Sequence, residues 1–126
     1  MDSTKDLIIV GGGPAGYSAA LYAARASLDV LVVEHGMAGG QIATSDIIDN
    51  YPGLGSCSGA ELGQKMLEHA EHAGAQSTYG SVSSIDREDD MFIVNTDMEQ
   101  LEAPALIVAT GATPRLGGFV GEDEFR

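Results

Sequence analysis

Two short apolar runs stand out along the chain, Leu7 to Val10 and Val30 to Val33, neither interrupted by a polar residue. Unbroken β-favouring runs of this length predict strands covered on both faces, as in a parallel sheet; alternation would instead predict one wet face. Between them, Pro14 to about Ala26 is rich in small residues (Ala15, Ala19, Ala20, Ala23, Ala24) and reads as a helix. Pro14 suits its first turn, where the missing N–H would have no partner in any case. Residues 35–55 read as a long irregular connection with glycines at 36, 39, 40, 53 and 55. A second helix is predicted over 58–76, with an apolar stripe of Leu62, Met66, Leu67 and Ala70 at helical spacing. Ser58 and Glu61 have the spacing of a capping box, and Gly74 that of a C-terminal cap.

Alternation takes over in residues 77–102, which predict a small antiparallel β-unit. Residues 81–86 and 91–96 are its strands around an acidic turn from Arg87 to Asp90, with another turn near Asp97 to Glu99. Residues 103–111, "APALIVATG", then predict a second fully buried strand parallel to the first. The whole pattern predicts a three-layer, Rossmann-like α/β domain of parallel sheet, helices and a small β-meander.

Composition narrows the function classes. A chain of 126 residues makes one domain at most. Nineteen carboxylates against six lysines and arginines leave a formal charge of −13. Nucleic acid and anionic lipid bind through Lys and Arg neutralising phosphates, so the charge argues against both as partners. The acids are scattered, which reads as a solvated surface suited to high salt. The Leu7 to Val10 run is too short for a signal core or a spanning helix. A single cysteine, Cys57, permits no intrachain disulfide and points to a cytoplasmic setting. It sits in a turn-like context and reads as a free loop thiol, because a dithiol cycle needs a partner. His69 and His72 lie three apart near Glu68, without a clear third ligand, and read as surface residues rather than a metal pair.

The candidate chemistry lies where the first strand meets the first helix, at Gly11-Gly12-Gly13-Pro14-Ala15-Gly16. Gly11 permits the tight turn, Gly13 lets a pyrophosphate approach the backbone, and Gly16 lets helix and sheet pack closely. The helix N-terminus then faces the phosphate charge. Glu34 closes the second strand, where a carboxylate can accept hydrogen bonds from both ribose hydroxyls and repels a 2′-phosphate. The motif follows a strand, opens a helix and has its acid at the right distance, so it predicts dinucleotide binding. These residues do not separate NAD from FAD. Gln41 and Asn50 add amides that can hydrogen-bond a flat heterocycle.

Three stretches together, "IIVGGGPAGYSAALYAARASLDVLVVE", "GMAGGQIATSDIIDNYPG" and "LIVATGATPR", resemble the FAD-binding domain of low-molecular-weight thioredoxin reductases. The likeness runs from about Lys5 to Phe125. The resemblance implies that Gly12 to Ala15 contact the FAD pyrophosphate and that Glu34 holds the adenosine ribose. It places Gly40, Gln41 and Asn50 at the flavin end, with His35 and Gly39 in the same cofactor set. Val82 would offer its backbone to the adenine, and Ala109, Thr110 and Gly111 would lie near the flavin, Thr110 as a possible donor. In the neighbouring glutathione reductase branch a cysteine pair follows the Gly-Gly step; here the stretch reads "GGQIATSDII".

The resemblance further implies that residues 1–126 are the first segment of an FAD-binding domain, ending at the hinge to an NADPH domain that holds a Cys-x-x-Cys. The returning FAD segment would also lie beyond Arg126. The parent protein would pass electrons from NADPH through FAD to a protein disulfide such as thioredoxin, as a homodimer. The chain itself would bind FAD without turning over, would carry no catalytic residue, and would self-associate through uncovered apolar surface. Two other readings remain: a segment of a thioredoxin-reductase-like ferredoxin– or flavodoxin–NADP reductase, and a non-catalytic dinucleotide-binding module.

Overall fold

The computed structural model describes residues 4–112. Four parallel strands form its centre: β1 (Leu7–Val10), β2 (Val30–Glu34), β5 (Gln76–Tyr79) and β9 (Ala105–Val108), in the order β5-β2-β1-β9. β1 and β2 sit in the middle, in register from Leu7 opposite Val30 to Val10 opposite Val33. Both are buried along their whole length, as their unbroken apolar runs require.

Successive residues of these strands point to opposite layers. Leu7, Ile9, Val30 and Val32 pack with Tyr17, Ala20 and Ala24 of α1 (Pro14–Arg25) and with Ala70 of α2 (Gly59–His72). Ile8, Val10, Leu31 and Val33 pack instead on Val94, Leu101 and Ala103. That other layer is an antiparallel meander of β6 (Val82–Glu88), β7 (Met91–Thr96) and β8 (Gln100–Ala103). The molecule is therefore helices, parallel sheet and meander in three layers. Each fully buried Ile, Leu or Val contributes roughly 1.5–3 kcal/mol of hydrophobic stabilisation.

Several boundaries differ from the sequence expectation. The connection 35–55 is not irregular throughout. It holds a short 3₁₀ helix, Gly40–Thr44, and most of a hairpin of β3 (Ile48–Tyr51) and β4 (Gly55–Cys57). Cys57 thus ends a strand, half-buried, rather than lying in a turn. Helix α2 ends at His72, short of residue 76. Its close is a Schellman motif: Gly74 has φ +117° and donates to the Glu71 carbonyl, while Ala75 donates to that of Ala70. The chain is thereby turned straight into β5, a third parallel strand that the alternation from residue 77 had assigned to the antiparallel unit. The acidic turn is also tighter, since Arg87 and Glu88 belong to β6 and only Asp89 and Asp90 join it to β7.

The largest correction concerns β9. It is parallel to β1, as expected, but lies at the sheet edge and is not buried. Ile107 is 38% and Val108 61% exposed. An apolar run records what a strand is suited to pack against, and among residues 4–112 no strand pairs with the outer side of β9.

Candidate functional site: a cleft at the C-terminal ends of the parallel strands

β1 leaves the sheet through Gly11, whose φ of +117° turns the chain sharply into α1. A Cβ on Gly16 would stand 1.8 Å from the Gly11 carbonyl oxygen, so only glycine there lets the first helical turn lie against the strand exit. Gly13 is the N-cap; no side chain caps the helix and no acid stands in its first turn. The positive end of the helix dipole is left facing the space outside the sheet. A Cβ on Gly13 would meet nothing nearer than the Gly39 carbonyl oxygen at 3.7 Å, so the protein itself does not require glycine at this position.

Glu34 stands at the end of the neighbouring strand and is 7% exposed. Its Oε1 accepts the Gly12 N–H at 2.8 Å and its Oε2 accepts the Gly36 N–H at 2.9 Å. The carboxylate thus ties the glycine-rich turn to the loop after β2. Each oxygen has a second lone pair for a further donor. Tyr17, buried on α1 behind this turn, has its hydroxyl 3.4 Å from that of Ser77 on β5. Burial pushes the Tyr17 phenol above its ordinary range; the Ser77 contact opposes this and the Glu34 charge adds to it.

The third wall is the Gly-Gly-Gln turn. Gly39 donates to the Gly12 carbonyl at 2.7 Å. Gly39 also lies so close to α2 that its Cβ would be 2.7 Å from the Gly63 Cα. Gln41 donates its side-chain amide to the carbonyl of Ala112, just beyond β9. These elements enclose a cleft of about 540 Å³ that bears Gly13, Pro14, Ala15, Glu34, His35, Gly40, Gln41, Ala109, Thr110 and Gly111 on its walls. A smaller hollow of about 270 Å³ adjoins it; Glu34, His35 and Thr110 line both, and Gly11 and Val82 line the smaller one.

Of the remaining sequence candidates, Gly12, Gly16 and Gly39 line neither hollow and act within the turns. Asn50 lies on the β3–β4 hairpin, in a neighbouring groove with Tyr51, Ile47 and Leu62 that shares Pro14 and Ile42 with the main cleft. The structure does not bring it to the walls of the main cleft. Thr110 is exposed at the cleft mouth. Sequence reasoning missed Gly36, Met37, Ile42 and Thr44 in the main cleft and Gly80 and Ser81 in the smaller one. Adjacency to Glu34 and to the Gly-Gly-Gln turn was the available signal for most of them. Gly80 donates its N–H to the Glu34 carbonyl, a contact with no local sequence signature. His69 and His72 are exposed on α2, and no group of three or more metal-ligating side chains occurs among the described residues. No helix among them is long and apolar enough to cross a membrane.

The cleft therefore combines an uncapped helix N-terminus, a fixed carboxylate one strand away, and walls of backbone and small side chains. Such a site accepts an anion beside a sugar with vicinal hydroxyls.

Comparison with known proteins gives the same direction. The family model described as pyridine nucleotide-disulphide oxidoreductase matches residues 5–126. A thioredoxin reductase of Bacillus subtilis is 41% identical over 119 residues, which are 94% of this chain and 38% of that protein. One from Treponema pallidum is 43% identical over 126 residues, 99% of this chain and 41% of that protein. Among solved structures, a thioredoxin reductase from Gloeobacter violaceus superposes with a TM-score of 0.88 at 35% identity, covering 99% of this chain and 42% of that one. The chain spans about two fifths of the length of the relatives it matches.

Proposed function

Because this chain belongs to the pyridine nucleotide-disulphide oxidoreductase family, we propose that the cleft holds FAD and that residues 1–126 are the first FAD-binding segment of a thioredoxin-reductase-like flavoprotein. The observation that carries this reading is the joint placement of the uncapped α1 N-terminus and the Glu34 carboxylate on one cleft. Gly13 and Ala15 would hold the pyrophosphate, with Gly12 and Pro14 shaping the turn. Glu34 would accept from the ribose hydroxyls and exclude a 2′-phosphate. The smaller hollow, with Val82 on its wall, suits an adenine. Gln41, Gly40 and the Ala109 to Gly111 exit would flank the flavin end, with Asn50 reaching it only from the neighbouring groove.

Bound FAD supplies two-electron redox chemistry, and the protein supplies binding, orientation and electrostatics. The chain has one cysteine, so these residues cannot provide a dithiol. On this reading the whole protein takes electrons from NADPH and delivers them to a disulfide partner of the thioredoxin kind, as a cytoplasmic homodimer. The 126 residues alone bind without turning over.

The test is the visible absorption spectrum of the purified chain after FAD is added and the excess removed. A retained flavin band supports the reading. A colourless protein that takes up no flavin counts against it.

A further inference from the structure

Three elements converge on Gly12. It follows the exit of β1, and its N–H is held by Glu34 Oε1 at the end of β2. A Cβ placed on it would stand 2.9 Å from Cβ and 3.0 Å from Cγ of Glu34, and 3.0 Å from the Tyr17 hydroxyl of α1. The Glu34 stem and the Tyr17 hydroxyl are therefore packed around one spot, the bare side of the Gly12 Cα. Tyr17 is fixed there at both ends. Its backbone N–H donates to the Gly13 carbonyl at 3.0 Å, and its hydroxyl lies 3.4 Å from that of Ser77. Ser77 sits on β5 opposite Val32, two residues before Glu34 on β2. The ring is buried in the cluster of Leu7, Ile9, Val30 and Val32. A phenylalanine would fill that apolar space equally well, whereas a buried hydroxyl carries a desolvation cost unless it is bonded.

We propose that Tyr17 is a positioning residue for the Glu34 carboxylate: braced on Ser77, its hydroxyl backs the Gly12 turn and the Glu34 stem, so that the carboxylate meets the adenosine ribose at a fixed place. The inference rests on the FAD reading above and adds to it a pair of residues that line neither the cleft nor the hollow beside it. Tyr17 and Ser77 thus act through Gly12 and Glu34 and not on the ligand. The free lone pairs of the Glu34 oxygens point where the stem aims them, and a hydrogen bond weakens steeply once its angle or distance is lost. Burial raises the Tyr17 phenol, with the nearby Glu34 charge adding to it, so the phenol keeps its proton at neutral pH and retains an O–H to donate. Removing either hydroxyl breaks the brace and leaves the ring, the carboxylate and the glycine turn in the chain.

The experiment compares two ligands, FAD and its analogue lacking the adenosine 2′-hydroxyl, each titrated by flavin fluorescence near neutral pH. The proteins are the unaltered chain, Tyr17→Phe, Ser77→Ala, the double variant, and Tyr22→Phe as a control at an exposed tyrosine of the same helix. The unaltered chain and the control should favour FAD about tenfold or more, the effect of a hydrogen bond to a charged group. Tyr17→Phe and Ser77→Ala should each narrow that ratio to about threefold or less, by weaker FAD binding with the analogue little changed. The double variant should narrow it no further, because both changes break one brace. Where Tyr17→Phe does not fold, Ser77→Ala at the sheet edge gives the same comparison.

A role in packing alone weakens both ligands in equal proportion and leaves the ratio unchanged; that result overturns the inference. An unaltered chain that binds the two flavins equally overturns it too, since Glu34 then makes no ribose contact for the brace to hold. FAD binding stands in both cases. No flavin binding by any form removes the FAD reading itself, and this inference with it.

Discussion

Replacing Glu34 by glutamine changes one atom and the charge, and the structure fixes what each is worth. The carboxylate accepts two backbone N–H groups, that of buried Gly12 and that of exposed Gly36. Glutamine can keep its oxygen on the buried Gly12 N–H and must then turn its NH₂ toward Gly36. One charge-assisted bond becomes neutral and roughly halves in strength; the other is lost at a position water can reach. With about 1.5–3 kcal/mol for bonds to charged groups against about 1 for neutral ones, the Gly12 bond alone loses about 0.5–2 kcal/mol, and the Gly36 bond, open to water, adds little, so the loss is near 1–2 kcal/mol. For a domain of this size that lowers Tm by roughly 3–10 °C. Glu34→Ala should cost about twice as much, because the buried Gly12 N–H is then left without an acceptor. Thermal unfolding followed by circular dichroism gives the ranking, and FAD titration of the folded variants gives the second readout. Binding should fall more than about tenfold in both, since each loses the anionic acceptor for ribose. If both variants unfold within about 0.5 kcal/mol of the parent, as ordinary surface substitutions do, the carboxylate does not hold the turn and the reasoning fails.

The glycines of the motif should separate fold from ligand. Gly16→Ala drives a Cβ to 1.8 Å from the Gly11 carbonyl oxygen, backbone against backbone, and should cost about 3 kcal/mol or more. Gly13→Ala meets nothing inside 3.7 Å and should cost only about 1 kcal/mol through the poorer N-cap, while weakening FAD at least tenfold. Urea unfolding and FAD titration of both variants check this, and equal stability loss in the two would contradict it. Tyr17 should be a late-ionising tyrosine in an alkaline absorbance titration, with burial the main cause and the late step missing in Tyr17→Phe. Because its folded pKa lies above the unfolded value of about 10, its contribution to stability is full below pH 10 and is lost as pH rises further. A parent chain whose stability is no more sensitive to pH above 10 than Tyr17→Phe would refute that assignment.

What was legible in the sequence was local. The runs at Leu7 and Val30, the glycine turn and the cap at Ser58 are each decided by near neighbours, and each appears where the pattern put it; the Ser58 hydroxyl accepts the Glu61 N–H at 3.1 Å. β5 escaped notice because "QSTY" carries no apolar run. Its strand state comes from pairing with β2 after Gly74 redirects the chain. Edge position is likewise invisible to a pattern, so β9 read as buried although its outer side is open. In the site, Glu34 and the motif glycines were identifiable because spacing alone brings them together. The position of Asn50 beside the cleft, in the adjoining groove, depends on a hairpin that the glycines at 53 and 55 suggested only as irregular chain. The four-residue spacing of Gly59 and Gly63 on α2 is a sign of close approach that the sequence reading did not use: Gly63 lies against Ala38 and Gly39, and Gly59 against Ile42 and Ser45.

The central claim is that one cleft, at the C-terminal ends of the parallel strands, is where FAD binds. The most direct test is a map of backbone amide shifts in the ¹⁵N-labelled chain as FAD is added. The account predicts that the largest changes fall on Gly12, Gly13, Ala15, Gly36, Gly40 and Gln41, with smaller ones at Ser81 and Val82 and none on the outer face of α2. Shifts centred on the β6–β8 meander or along the β9 edge, with the glycine turn unmoved, would contradict it.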